Sequence, residues 1–149
     1  MVEPLAACPA SLERRAAAFR KVREAHQTEM AEDYVELIGD LIAETGEARL
    51  TDIAGSMGVA QASASKVVAR LKREGLVDSR PYRSIFLTPA GAEMAAESRR
   101  RHQVVLDFLL ALGLDETTAA NDSEGIEHHV SAATLTALAS LTATLRARA

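Results

Sequence analysis

A mainly α-helical fold, two helical units joined around one short β-hairpin, is what this sequence predicts, and three observations predict it. The chain has 149 residues, 48% apolar, but only 3% aromatic and no Trp. Its core must therefore be built from Ala, Leu, Val and Ile, and the abundance of Ala, Leu, Glu and Arg favours helix. Apolar residues recur at intervals of three and four along most of the chain, the period of a helix with one buried face. Extended pattern is confined to "LVDS" and "SIFL", which flank the turn "RPYR". The length suits one ordinary domain or two small ones.

The elements follow in order. No proline interrupts Leu12 to Thr45, which reads as one long helix or as two meeting near Thr28. Its second half carries Met30, Tyr34, Leu37, Ile38, Leu41 and Ile42 as a core stripe, and Gly46 is placed to end it. Thr51 is a plausible N-cap for a short helix ending at Gly58. A tight turn follows, then a second helix from about Gln61 to Glu74 with Val67, Val68 and Leu71 facing inward, so the pair forms a helix-turn-helix. The hairpin comes next, and Thr88 with Pro89 forms an N-cap and first-turn pair opening another helix. Together these describe a winged helix-turn-helix over residues 28–95. A further helix closes at Gly113, "LDETTAA" reads as a linker, and Asp122 or Ser123 can cap the next segment. Leu135, Leu138, Leu141 and Leu145 stripe the last helix, within an all-helical unit over residues 96–149. Residues 1–27 form an N-terminal extension, partly helical.

Charge narrows the function. The net charge of −4 argues against nucleic acid, but its distribution argues for it. Residues 61–84 hold Lys66, Arg70, Lys72, Arg73, Arg80 and Arg83 against Glu74 and Asp78, a local +4. Gln61, Ser63, Ser65 and Lys66 begin the second helix, where a recognition helix presents side chains to base edges, with Arg70 further along it. Arg80, Tyr82 and Arg83 at the wing tip are placed to touch phosphate or the minor groove. The plain alternative is a solvated surface on a small helical hairpin. The N-terminus has neither a basic stretch nor an apolar run of secretory type. The longest uncharged run, residues 130–145, contains six Ser or Thr and falls short of a membrane span. Cys8 alone can form no internal disulfide. A cytoplasmic protein is expected.

The stretch "NDSEGIEHHV" packs Asp122, Glu124, Glu127, His128 and His129 into ten positions of a chain with four histidines. On a helix, Glu124, Glu127 and His128 fall on one face as a row of metal-binding groups. His129 points elsewhere and is expected in the core or behind the ligands. Asp33 and Glu36 are also three apart, on the flank of the first core helix, and His102 stands alone after three arginines. By themselves those last two groups read as ordinary solvated helix surface.

Taken in order, "AEDYVELIGDLI", the helix-turn-helix and wing ending "IFLTPAG", "RRRHQVVLDFLLALGL" and "NDSEGIEHHVS" resemble the manganese transport regulators of the DtxR family of metal-dependent repressors. The resemblance runs over roughly residues 29–131. It implies a binuclear metal site of Asp33, Glu36, His102, Glu124, Glu127 and His128, with Glu124, Glu127 and His128 central to both ions. It further implies a homodimer, a palindromic double-stranded operator, and Mn(II), two per subunit, as the ion that activates DNA binding. Iron-responsive relatives carry Met and Cys at the positions of Asp33 and Glu124, so Fe(II) is the alternative effector. Ala62 stands where Pro is often found in the recognition helix, and the chain stops soon after the leucine stripe, so no additional C-terminal domain of the iron-responsive kind is expected.

The donor chemistry agrees, since carboxylate oxygens with imidazole nitrogens suit Mn²⁺. Four carboxylates, Asp33, Glu36, Glu124 and Glu127, are balanced by two divalent ions. Two rivals are a metal-independent winged-helix regulator and a binuclear hydrolase. No separate nucleophile or acid is evident, so no enzyme and no organic small-molecule substrate is expected.

Overall fold

The computed structural model describes residues 11–79 and 84–148. Cys8 and the wing-tip residues Arg80, Tyr82 and Arg83 lie outside the described residues. Six helices and one hairpin are described: α1 (Leu12–Thr45), α2 (Leu50–Met57), α3 (Gln61–Arg73), β1 (Val77–Ser79), β2 (Ile85–Leu87), α4 (Pro89–Ala111), α5 (Glu116–Ile126) and α6 (Ala132–Arg148).

The first helix is continuous, with no break near Thr28. The Ser11 hydroxyl caps it by accepting from the Arg14 N–H at 3.3 Å. Gly46, at φ 84°, ends it in the left-handed conformation that glycine adopts without Cβ strain. Residues 12–24 are all exposed. From Ala31 onward Tyr34, Val35 and Ile38 enter a core with Ile53 and Ala54 of α2, Ala64, Val68 and Leu71 of α3, and Val77 and Ile85 of the hairpin. The helix-turn-helix is present, but Thr51 is not its cap. α2 begins at Leu50 after Arg49, with no side-chain cap, and Thr51 is an exposed first-turn residue.

The wing is an antiparallel pair in which Val77 faces Leu87 and Ser79 faces Ile85. Ile85 also donates its N–H to the Ala48 carbonyl at 2.8 Å, so the segment after α1 extends the ladder by one bridge. Lys72 Nζ donates to the Ser79 carbonyl at 3.0 Å, tying the hairpin to α3. Thr88 caps α4 as expected, and three residues on Gly91 crosses the wing closely. A Cβ on Gly91 would lie 2.0 Å from the Leu76 carbonyl oxygen, so only glycine fits.

α4 belongs to two cores. Ala95 packs in the first, whereas Val105 and Leu109 join Ala119 of α5 and Leu135 of α6 in the second. α5 starts at Glu116, earlier than expected: Asp115 is its cap, accepting from the Thr118 N–H at 3.0 Å. The supposed linker is thus helical from Glu116 onward, and Ser123 lies buried near the end of α5, its hydroxyl donating to the Ala120 carbonyl at 2.8 Å. The leucine stripe on α6 is divided. Leu135 and Leu138 complete the second core, while Leu141 is exposed. No described helix is long and apolar enough to cross a membrane.

Candidate metal centre and nucleic-acid interface

α5 ends at Ile126, so Glu127 and His128 sit in the turn between α5 and α6 rather than on the helix face with Glu124. The turn drops both side chains inward against α1 and α4. Glu127 is 3% exposed, and its two carboxylate oxygens point in different directions. Oε2 lies 2.5 Å from His102 Nδ1 of α4, and Oε1 lies 3.3 Å from His128 Nε2. Glu124 Oε1 also approaches His102 Nδ1, at 3.6 Å, and Asp33 Oδ1 of α1 approaches His128 Nε2 at 3.1 Å. One carboxylate thereby joins two ligand groups, His102 with Glu124 and His128 with Asp33. His102, isolated in sequence, is brought into the cluster by the packing of α4 against α5.

Glu36 stands at the rim. Its carboxylate accepts from the Ser98 hydroxyl at 2.9 Å and faces Arg99 Nε at 3.9 Å. With Asp33 and Glu124 it lines a cavity of about 520 Å³ that also takes in Glu29 and Asp40, open on the α1 side of the cluster. All six expected ligands therefore converge on one region, five in a chain of close contacts and the sixth on the wall beside them.

Two supporting residues have no part in the sequence reading. Glu32, buried on α1, holds His128 Nδ1 through Oε2 at 2.6 Å, so the opposite nitrogen, Nε2, faces the cluster. Arg101 on α4 pairs with Glu32 at 3.5 Å and donates to the backbone carbonyls of Glu127 and Val130, pinning the turn itself. A signal for Glu32 exists in the sequence, because it is four residues before Glu36, and Glu29, Asp33 and Glu36 form a second such row. His129 is not a core residue: its side chain is 40% exposed and faces Glu29.

The electrostatics suit a cation. Burial pushes the Glu127 carboxyl up despite the opposing pull of His102 and His128. Burial works against charge on His128, but its bonds to Asp33 and Glu32 and the charges of Asp33 and Glu127 outweigh it and push the imidazole up to about 10. A divalent cation and that proton thus compete for the same carboxylates. The donor set, carboxylate oxygens and imidazole nitrogens with no thiolate, fits an ion such as Mn²⁺.

On the other face of the first unit, Gln61, Ser63, Ser65 and Lys66 are exposed along the first turns of α3. Arg70 departs from expectation. Its guanidinium is half-buried, donates to the Gln27 carbonyl of α1 at 3.2 Å and pairs with Glu74 at 3.4 Å, so it braces α1 against α3.

The family described as "Iron dependent repressor, N-terminal DNA binding domain" matches residues 26–85, and "Iron dependent repressor, metal binding and dimerisation domain" matches residues 88–147. The chain is 49% identical over 132 residues, 89% of its length and 84% of the other's, to the transcriptional regulator MntR of Salmonella typhimurium. It is 53% identical over 119 residues, 80% and 77% of the two chains, to MntR of Escherichia coli O157:H7. Among solved structures, a manganese-dependent transcriptional repressor in complex with manganese superposes with a TM-score of 0.65 at 27% identity, over 75% of this chain and 52% of that one.

Proposed function

The chain belongs to the iron-dependent repressor family, and from that premise we propose that it is a Mn(II)-responsive DNA-binding repressor of manganese uptake genes. The observation that carries this reading is the Glu127 carboxylate, whose two oxygens face His102 and His128 on separate sides. Asp33, Glu36, His102, Glu124, Glu127 and His128 would then hold two ions per subunit. Bound there, the ions supply the positive charge that lets clustered carboxylates stay ionised together.

The work of the chain's own residues is positional. Asp33 and Glu36 ride on α1, which packs against the helix-turn-helix, whereas Glu124, Glu127 and His128 come from the α5–α6 segment. Engaging all of them fixes a DNA-binding unit, residues 28–95, against a dimerisation unit, residues 96–149, with residues 1–27 as an extension of the first. Glu32 holds His128 so that its Nε2 faces the site, and Arg101 holds the turn. In a homodimer this selects the spacing of the two α3 helices, which must sit about 34 Å apart to enter successive major grooves of a palindromic double-stranded operator. Gln61, Ser63, Ser65 and Lys66 read base edges and adjacent phosphates, and Arg80, Tyr82 and Arg83 are assigned to phosphate or the minor groove from sequence alone. Arg70 is better assigned to bracing α1. Exposed Leu112 and Leu141 belong to the dimer interface. The protein acts in the cytoplasm, where the DNA is, and neither catalysis nor an organic small-molecule substrate enters this reading.

Manganese is favoured over iron because carboxylates occupy positions 33 and 124. Selection of bound duplexes from a random DNA pool, with Mn²⁺, with Fe²⁺ under anaerobic conditions, and with chelator, tests the proposal. Enrichment of a palindrome with half-sites one helical turn apart under Mn²⁺ is expected. Equal enrichment under chelator would make the regulator metal-independent, and enrichment under Fe²⁺ alone would make it iron-responsive.

A further inference from the structure

Three metal-binding side chains outside the six-residue cluster meet on its solvent side. His26 and Glu29 are three apart on α1 and share a face, and His129 reaches them from the α5–α6 turn. His129 Nε2 lies 3.3 Å from Glu29 Oε2, and the His26 and His129 rings meet edge to face with centroids 5.6 Å apart. One donor atom from each of the three lies within 4.8 Å of the other two. Ligands at about 2.0–2.2 Å from a tetrahedral ion are themselves about 3.3–3.6 Å apart. Closing from 4.8 Å to that spacing needs only small side-chain rotations, and all three side chains are free to make them, being exposed or half-buried.

We propose that His26, Glu29 and His129 form a third divalent-cation site, distinct in ligands and in preference from the Glu127-centred pair. Two imidazoles and one carboxylate suit the ions that favour nitrogen, Zn²⁺, Ni²⁺ and Fe²⁺, over oxygen-seeking Mn²⁺. Three protein ligands leave the remaining positions to water, and the exposed face of the cluster admits it. Glu29 also approaches Asp33 and His128, with one donor atom of each within 4.8 Å, so this site abuts the first without sharing its Glu127. An ion held there ties residues 26–29, just before the stretch of α1 that enters the core, to the same turn that carries Glu127 and His128. This is a second link between α1 and the C-terminal unit, made by residues outside the ligand set proposed above and answering to a different class of metal.

The test counts Zn²⁺ bound per full-length chain by equilibrium dialysis, in the wild type, His26→Ala and His129→Ala, and again with each change in a Glu127→Gln background. His26 is exposed and His129 largely so, and circular dichroism checks that each variant stays helical. The expected result is one Zn²⁺ fewer in either histidine variant than in its parent, in both backgrounds, with the Mn²⁺ count unchanged. Equal Zn²⁺ counts in parent and variants would overturn the site. A loss of Mn²⁺ alongside Zn²⁺ would overturn its separateness, since the histidines would then serve the Glu127 cluster. Failure of the Glu127-centred reading would instead appear as an unchanged Mn²⁺ count in Glu127→Gln.

Discussion

The two halves of the molecule are held together by different means. The N-terminal unit closes over a continuous apolar core drawn from α1, α2, α3 and the wing, with Ile38, Ile53, Leu71 and Val77 fully buried. Among the described residues the C-terminal unit buries only Val105, Leu109, Ala119 and Leu135 as its apolar centre. At its junction with α1 it instead buries Glu127 and His128, while Leu112, Ile126 and Leu141 remain exposed. An apolar core is indifferent to ions, whereas a buried carboxylate-imidazole cluster changes its energy with every charge it binds. On the proposed reading the first half is therefore the DNA reader, and the second is the half that answers to cation and to partner.

The largest expected effect comes inside the N-terminal half, where the start of α4 crosses the wing. Gly91→Ala forces a methyl group into the Leu76 carbonyl, which neither backbone can yield to cheaply. A loss of about 3 kcal/mol or more is expected by urea denaturation, and a smaller loss would mean that α4 can shift freely against the wing. The comparison itself is tested by truncating one leucine in each core. Leu71→Ala should cost about 2–5 kcal/mol, the range for a fully buried leucine, and Leu135→Ala should fall at or below the bottom of that range. Equal costs would show that the second core is as well built as the first. Next, Glu32→Gln removes the charge behind His128 while keeping its shape, and Mn²⁺ affinity should fall about 10- to 100-fold in calorimetric titration. Unchanged affinity would remove Glu32 from the support of the site. The smallest effect belongs to the periphery of the reader: Lys66→Ala should lower the slope of log affinity for DNA against log salt by about 1, without altering metal binding. An unaltered slope would take Lys66 off the phosphate backbone.

Much of this was legible in the sequence where local chemistry decides structure. Gly46, Gly58 and the Thr88–Pro89 pair mark real helix ends, and the apolar stripe of α1 faces the core from Tyr34 to Ile42, whereas Met30, expected to begin it, is exposed because it precedes the point where α1 enters the core. Local signals misled where several capping residues compete. Asp115 rather than Asp122 or Ser123 opens α5, because Asp115 can accept from Thr118, and α2 begins without any side-chain cap. Periodicity also extended a helix one step too far, through Glu127 and His128, which the turn after Ile126 carries into the interior instead. What the sequence could not display was pairing over long separations. Glu32 with His128 and Arg70 with Gln27 are contacts between elements 96 and 43 positions apart, and each resembles an ordinary surface residue until the fold brings its partner.

The central claim is that Glu127 couples the responsive half to the reader through a bound divalent ion. Its most direct test is the DNA affinity of wild type and Glu127→Gln, measured by fluorescence anisotropy on a duplex selected with Mn²⁺, with and without that ion, after checking that both proteins are folded dimers. Mn²⁺ should raise wild-type affinity by about 5- to 150-fold, the usual span of such couplings, and should leave Glu127→Gln essentially unmoved. A Mn²⁺ response of wild-type size in Glu127→Gln would contradict the claim.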